Sequence, residues 1–232
     1  MLPYSSVLIM INFSLFLLAL VLSVSLSAAP SREAFALEER QVSGVPLDAF
    51  EWGDANLTIE LWARSPMIFS PVSMDFDAQG RLWLTEGIDY QRGLRTEGGR
   101  SIIVLEDKDW DGKADSSHVF VTDPDIRHAA LGIAVFDNQI VLSSTPSIIV
   151  YTDVNRNAVF DEGIDKREVF LTGFRDASHD HTLHAVVGAP SGQWHFSYGN
   201  RGADITTKDG RHHISGCYYG YSDGIGKKSS DG

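Results

Sequence analysis

With 232 residues, 31 acidic against 19 basic side chains and a formal net charge of −12, the chain has room for one or two domains. Its charge excludes nucleic acid as a partner, because that affinity rests on basic side chains displacing counterions from a polyanion; divalent cations and neutral solutes are not repelled. A single cysteine, Cys217, excludes an internal disulfide and reads first as a small buried apolar residue, with a reactive thiol as the rarer case.

The opening stretch, MLPYSSVLIMINFSLFLLALVLSVSLSAAP, carries no charged side chain. It is predicted to form an export helix. One reading is a signal peptide over residues 1–29, with Ser27 and Ala29 suited to cleavage. The other is an uncleaved membrane anchor, since the apolar run over residues 7–26 is long enough to span a bilayer. Either one places the remainder in the periplasm or another extracytoplasmic space. Residues 30–56 carry charge without periodicity and read as a lead-in linker.

From residue 57 the pattern changes to short runs rich in Val, Ile, Leu, Phe, Trp and Thr, punctuated by Gly, Asn, Asp and Pro. LTIELWA, PVSMDFD, GRLWLTE, SIIVLED, HVFVTD, LGIAVFD, QIVLSST, SIIVYTD, EVFLTGF, HTLHAVVG and QWHFSYG follow one another with the lengths and boundaries of strands. No amphipathic helix interrupts them. The runs also repeat: SIIVLEDKDWDGKADSSHVFVTD is echoed by SIIVYTDVNRNAVFDEGIDKREVFLTGF, with Asp107 and Asp153 as equivalent residues 46 apart. A hairpin precedes each copy, PVSMDFDAQGRLWLTEG and LGIAVFDNQIVLSSTPS, and LHAVVGAPSGQWHFSYG is a third such hairpin, with Ser191 and Gly192 at its turn.

Four strands per unit at this period are the signature of a propeller blade, which becomes stable only between neighbours because both of its faces are apolar. The predicted fold is all-β: a partial β-propeller of about two and a half to three four-stranded blades over residues 57–232, with boundaries near 57–127, 128–180 and an incomplete 181–232. Closed propellers have about four to eight blades. The chain is therefore expected to be the N-terminal part of a longer protein, with an open or oligomeric array as the alternative.

DKDWDGKAD places Asp107, Asp109, Asp111 and Asp115 at positions one, three, five and nine of a loop with Gly112 at six, the spacing that turns alternate side chains around a calcium ion. DVNRNAVFD repeats it with Asp153, Asn155, Asn157 and Asp161, with fewer carboxylates and with Ala158 in place of the glycine. Neither loop has a glutamate at position twelve, where His118 and Ile164 stand. Asp and Asn also favour plain turns through their own hydrogen bonds. For the first loop calcium and a solvated turn are equal readings, and for the second the turn is favoured.

Four histidines, His179, His181, His184 and His195, crowd the third hairpin and invite a zinc reading. Strand alternation counts against it: His181 and His184 are an odd number of positions apart and face opposite ways, whereas a site needs three or four converging ligands.

The stretch DHTLHAVVGAPSGQWHFSYGNRG resembles the soluble quinone-dependent glucose and sorbosone dehydrogenases, which are six-bladed propellers. PVSMDFDAQGRLWLTEG is similar to that family's first hairpin, and RHAALGIAVFDN to its approach to the second blade. With the export segment and the DxDxDGxxD-like loops, the arrangement is closer still to the membrane-bound dehydrogenases of planctomycete and verrucomicrobial type. The resemblance covers residues 60–225, and its sharp motif is Asp180-His181.

The resemblance implies that His181 is the general base that takes a hydroxyl proton while hydride leaves a sugar or alcohol carbon for a quinone, with Asp180 orienting it. Such a role suits an imidazole near neutral pH. Arg127 and His128 match positions lining the substrate pocket. Arg201 matches another, where the family has glutamine, so the substrate is left open. The implied cofactors are pyrroloquinoline quinone and calcium, whose main contacts in the family come from later blades. No CxxCH haem motif is present in the chain, which leaves the electron acceptor elsewhere.

Two other readings stand beside this one. A calcium-dependent propeller lactonase or hydrolase would need carboxylates where the inner strands begin, and Arg127, His128 and His181 stand there instead. A non-catalytic exported propeller would bind a glycan or a protein. Under the oxidoreductase reading the chain alone is expected to be inactive, because part of a ring cannot enclose a central pocket.

Overall fold

The computed structural model describes residues 47–51, 53–87, 99–126, 130–175, 182–199, 202–207, 210–214 and 218–222. The predicted export helix, Cys217 and most of the linker lie outside them.

After a short 3-10 turn at Leu47–Ala49, every regular element is a strand. The first sheet contains β1 (Pro71–Phe76), β2 (Leu82–Glu86), β3 (Arg100–Glu106) and β4 (Ser116–Asp123), hydrogen-bonded in that order. The second repeats it with β5 (Gly132–Phe136), β6 (Gln139–Ser144), β7 (Ser147–Thr152) and β8 (Lys166–Thr172). All neighbours are antiparallel. Both sheets carry a register shift at one place in the outer pair, between Ile102 and Ile103 and between Ile148 and Ile149. These are two copies of one blade.

The third sheet begins the same way, with β9 (Leu183–Gly188) against β10 (Trp194–Tyr198) across a turn closed by Gly192 at φ 82°. It then departs from the first two. The next two strands, β11 (Ala203–Thr207) and β12 (Gly210–Ile214), form a separate ribbon, and β13 (Tyr218–Ser222) returns to pair with β10 as the third strand of the sheet. The ribbon is held at the end of the second blade by a bridge between Phe174 and Ala203 and by the Asp204 N–H donating to the Gly173 carbonyl.

The strands β1, β5 and β9 run side by side. Ser73 Oγ accepts from the Ile133 N–H and Asp75 Oδ2 from the Val135 N–H, at 3.2 and 2.8 Å. Equal two-residue steps on both strands make the pair parallel. The same holds next door, where Gly132 lies against Ala185 and Gly188 against the Phe136 ring. Two antiparallel four-stranded sheets and a three-stranded one, fanned about parallel first strands, constitute a partial β-propeller.

The burial pattern follows from this stacking. The second and third strands of a blade are covered on both faces, so β2 is buried throughout and β3, β6 and β7 nearly so. Between the first two blades lie Trp83, Ile102, Phe120, Leu142, Ile149 and Tyr151, and between the second and third Val141, Phe170, Phe174, Val186, Trp194 and Phe196. Burial at about 25 cal/mol per Å² of apolar surface is what holds one blade to the next. The far face of the first blade, Leu82, Leu84, Ile103 and Leu105, is covered by Trp62, Ala63, Met67 and Ile68 from the stretch between the linker and β1. LTIELWA, predicted as a strand, pairs with no strand among the described residues.

Candidate functional site

The parallel inner strands give the molecule a rim: β1, β5 and β9 all begin at the same end. Hydroxyl groups from one blade fasten the segment that leads into the next blade's inner strand. Thr85, buried at the end of β2, donates from Oγ1 to the Ala130 carbonyl at 2.8 Å, just before β5. Thr145, buried after β6, accepts from the Leu183 N–H at 3.3 Å, where β9 starts. The Thr182 carbonyl accepts from the Gly199 N–H at 3.0 Å and closes the β9–β10 hairpin at that end. Sequence reasoning missed these threonines. Their only signal is a hydroxyl residue following an apolar strand, which is too common to single out.

Arg127, His128, Asp180, His181 and Arg201 lie outside the described residues. In chain order the first two precede β5 and the second two precede β9. His184 and His195 are half-buried residues of β9 and β10.

The two acidic loops join the third and fourth strands of successive blades and share one backbone. Position four is left-handed in both, at Trp110 (φ 61°) and Arg156 (φ 62°), and so is position six, at Gly112 (φ 87°) and Ala158 (φ 60°). The side chains differ. In the second loop the Asn155 and Asn157 amides donate to Asp161 Oδ2 at 2.7 and 2.8 Å. Those hydrogen bonds hold the Asp161 carboxyl below its ordinary range. Asp153 accepts from the backbone of Asn157 and Ala158, so the loop supplies its own hydrogen-bond donors to these two carboxylates.

No amide serves the first loop. Asp107, Asp109 and Asp115 bring carboxylate oxygens within 4.8 Å of one another. Their recorded hydrogen bonds come from backbone N–H groups: Gly112 to Asp107 Oδ2, Asp111 to Asp109 Oδ1 and Lys108 to Asp115 Oδ2. Asp107 Oδ1 is buried with no hydrogen-bond partner, a cost of about 1–3 kcal/mol unless something else satisfies it. Asp111 lies outside this triad and accepts from the Lys113 N–H at 2.9 Å. Hard oxygen donors with an orphaned atom among them fit a calcium ion.

A third polar cluster ties the first blade to the second. Asp123, at the end of β4, accepts from Tyr151 Oη at 2.6 Å and Arg167 Nε at 2.5 Å, and Arg167 also reaches Asp125 at 2.6 Å. Burial pushes the Asp123 carboxyl up, but the hydrogen bonds from Arg167 and Tyr151 outweigh it and hold it below the usual range. Burial, with the neighbouring carboxylate, pushes the Tyr151 hydroxyl well above its ordinary value. Asp77 plays a similar part in the first blade, accepting from Arg81 and from the Trp83 indole at 2.6 and 2.8 Å.

Among the described residues, two cavities lie at the opposite, hairpin-turn end. One of about 360 Å³ is lined by Phe136, Asp137, Gly188 and Trp194, and one of about 160 Å³ by Arg81, Asp137, Asp153 and Arg156. A polycarboxylate quinone needs unpaired cations. The first cavity offers none, and in the second Arg81 and Arg156 are committed to Asp77 and Asp137. Neither fits that cofactor.

A family profile described as a domain of unknown function, DUF7133, matches residues 49–228. The chain belongs to this family. The DUF7133 match takes in every strand described above. Among curated proteins, none matches the chain in sequence. Solved structures similar to it include the iodide and calcium structures of a Trichoderma reesei carbohydrate-active enzyme of family AA12. These are 16% and 15% identical, with TM-scores of 0.42 and 0.40, and cover 61% and 60% of this chain and 32% and 31% of theirs. A candidate gluconolactonase is 16% identical at a TM-score of 0.38, covering 69% of this chain and 49% of its own. The chain thus spans about a third of the length of the Trichoderma structures. The fold assignment rests on the sheets themselves.

Proposed function

We propose that these blades belong to an exported propeller oxidoreductase that oxidises a sugar or alcohol hydroxyl, with hydride passing to a quinone. The supporting observation is the common rim. In chain order Asp180-His181 comes shortly before β9 and Arg127-His128 shortly before β5, and those two inner strands begin at the same end of the sheets. In this reading His181 accepts the hydroxyl proton on an imidazole nitrogen, Asp180 fixes the ring, and Arg127, His128 and Arg201 bind the substrate's oxygens. The resemblance assigns the quinone's main contacts to later blades. With three blades only, the chain is expected to show no turnover.

The test uses the complete ring reconstituted with quinone and calcium and assayed by reduction of an artificial electron acceptor. His181→Ala is expected to lower kcat by at least about 100-fold, the usual contribution of a general base, with folding unchanged. Full turnover by that variant would sink the assignment. Thr145→Val, which removes the hydroxyl at the start of β9, is expected to lower kcat several-fold while KM holds, and Thr145→Ser to restore it. Equal loss in both variants would mean that Thr145 acts through stability alone.

Calcium in the first acidic loop is part of the same proposal, and its role there is structural. At a hundred times its dissociation constant, a ligand bound only by the folded state adds about 2.7 kcal/mol. Calcium is expected to raise Tm in the unmodified chain and in Asp153→Asn, but not in Asp107→Asn. An unchanged calcium response in Asp107→Asn would remove the site.

A further inference from the structure

The chain carries Asn-x-Ser/Thr triplets at Asn12 and at Asn56. Asn12 lies inside the apolar export run, whereas Asn56-Leu57-Thr58 comes after it, at the end of the linker. Such a triplet is the acceptor for N-linked glycan when its middle residue is not proline and it lies on the surface of an exported chain. Three residues are few enough to coincide by chance, so the case rests on the local structure.

Residues 53–60 are all exposed and belong to no helix or strand. Asp54–Leu57 form a turn closed by the Leu57 N–H on the Asp54 carbonyl at 3.1 Å. Within it the Asn56 N–H and Nδ2 both donate to Asp54 Oδ1, at 2.9 and 3.0 Å, so the amide is held in one orientation at the surface. A plain turn of this kind accounts for the Asp and the Asn but not for Thr58. The Thr58 hydroxyl is exposed and makes no hydrogen bond among the described residues, so no contact of the fold explains it.

The fold takes hold of the chain only further along. Leu61, Trp62 and Ala63 are half-buried, and the Ala114 N–H donates to the Trp62 carbonyl at 2.8 Å, as the Phe160 N–H does to the Phe120 carbonyl of β4 one blade later. Trp62 and Ala63 pack on the first blade. Drawing the triplet into a transferase therefore breaks the three hydrogen bonds of the turn and disturbs no packing.

We propose that Asn56 is an N-glycosylation site. Asn56 Nδ2 attacks the anomeric carbon of an oligosaccharide carried on a lipid diphosphate in the membrane that the chain crosses. A bond forms between Nδ2 and that carbon, and the bond from the carbon to the diphosphate oxygen breaks. The lipid diphosphate leaves with the electron pair, one Nδ2 proton passes to a base of the transferase, and no oxidant or reductant is needed. The inference rests on the export part of the reading above and is independent of the oxidation.

The experiment uses the full chain purified from the cells that make it, after the cytoplasmic and exported fractions have been separated. The tryptic peptide 41–64, bounded by Arg40 and Arg64, is read by mass spectrometry with electron-based fragmentation, which keeps glycosidic bonds intact. It is expected to carry an oligosaccharide on Asn56. Asn56→Gln and Thr58→Val are expected to abolish that mass and Thr58→Ser to retain it, with Tm unchanged in all three. An exported chain with unmodified Asn56 overturns the site, and so does a mass that survives Thr58→Val. Recovery in the cytoplasm alone overturns the export reading and the site with it, while the quinone assay on the reconstituted ring is unaffected by either outcome.

Discussion

Asp123→Ala is expected to cost about 3 kcal/mol of stability and to loosen the first blade from the second. Asp123 closes β4, yet its partners Tyr151 and Arg167 belong to β7 and β8, so its carboxylate spans the junction. Removing it leaves the fully buried Tyr151 hydroxyl without an acceptor and Arg167 with Asp125 as its remaining carboxylate. Breaking a buried pair costs about 3–5 kcal/mol. The lower end applies because the Arg167 side chain keeps 30% exposure and its second partner. The sign with pH follows from the depressed carboxyl. Its stabilisation is complete above the unfolded-state value, about 3.9, and is lost as pH falls through the lower folded value. Tm curves for Asp123→Asn and the unmodified chain should therefore be separated from pH 5 to 7 and begin to converge only as pH falls below about 4. A gap of the same size at pH 2 would show that the charge is not its source.

The junctions between blades are also where sequence reading stops. Individual strands are legible because each is an apolar run closed by Gly, Asn, Asp or Pro, and the repeat is legible because two blades share a motif. Partner choice is not written locally. DITTKDGRHHI forms a hairpin that the sequence reading did not single out, and its docking on the second blade depends on Gly173, at φ 113°, whose absent Cβ would lie 2.0 Å from the Asp204 carbonyl oxygen. LTIELWA reads as a strand and occupies a strand's position without a ladder, since an edge requires a neighbour.

The acidic loops show the same division. Their spacing is plain in the sequence, whereas the hydrogen-bonded Asn155, Asn157 and Asp161 cluster emerges only from geometry. Ala158 stands where a glycine was expected. It holds the left-handed conformation because its N–H donates to Asp153 Oδ2 and its carbonyl accepts from His118 Nε2, at 2.8 and 2.9 Å. Asp180-His181 and Arg127-His128, which precede β9 and β5 in chain order, are singled out by resemblance alone. The threonines that anchor the neighbouring backbone carry no pattern of their own.

Gly132→Val is expected to be the most damaging single change where β5 meets β9. Gly132 opens β5, and a Cβ there would lie 2.5 Å from Ala185 Cα and 2.9 Å from the Ala185 nitrogen. Those atoms are backbone, so no side chain can rotate away; β9 itself must move. Overpacking typically costs about 1–3 kcal/mol and occasionally more, and a rigid backbone obstacle places this case at the upper end. Displacing β9 also separates Val186, Trp194 and Phe196 from Val141 and Phe170, opening the core between the second and third blades. The expected result is a lower Tm with early proteolysis confined to residues beyond 175, while the first two blades stay resistant. Gly192→Ala is the control: it strains a turn at φ 82° but meets nothing within 4 Å, so it should cost only about 1 kcal/mol. If Gly132→Val were no worse than Gly192→Ala, the close approach of β5 and β9 would not be what fixes the third blade in the ring.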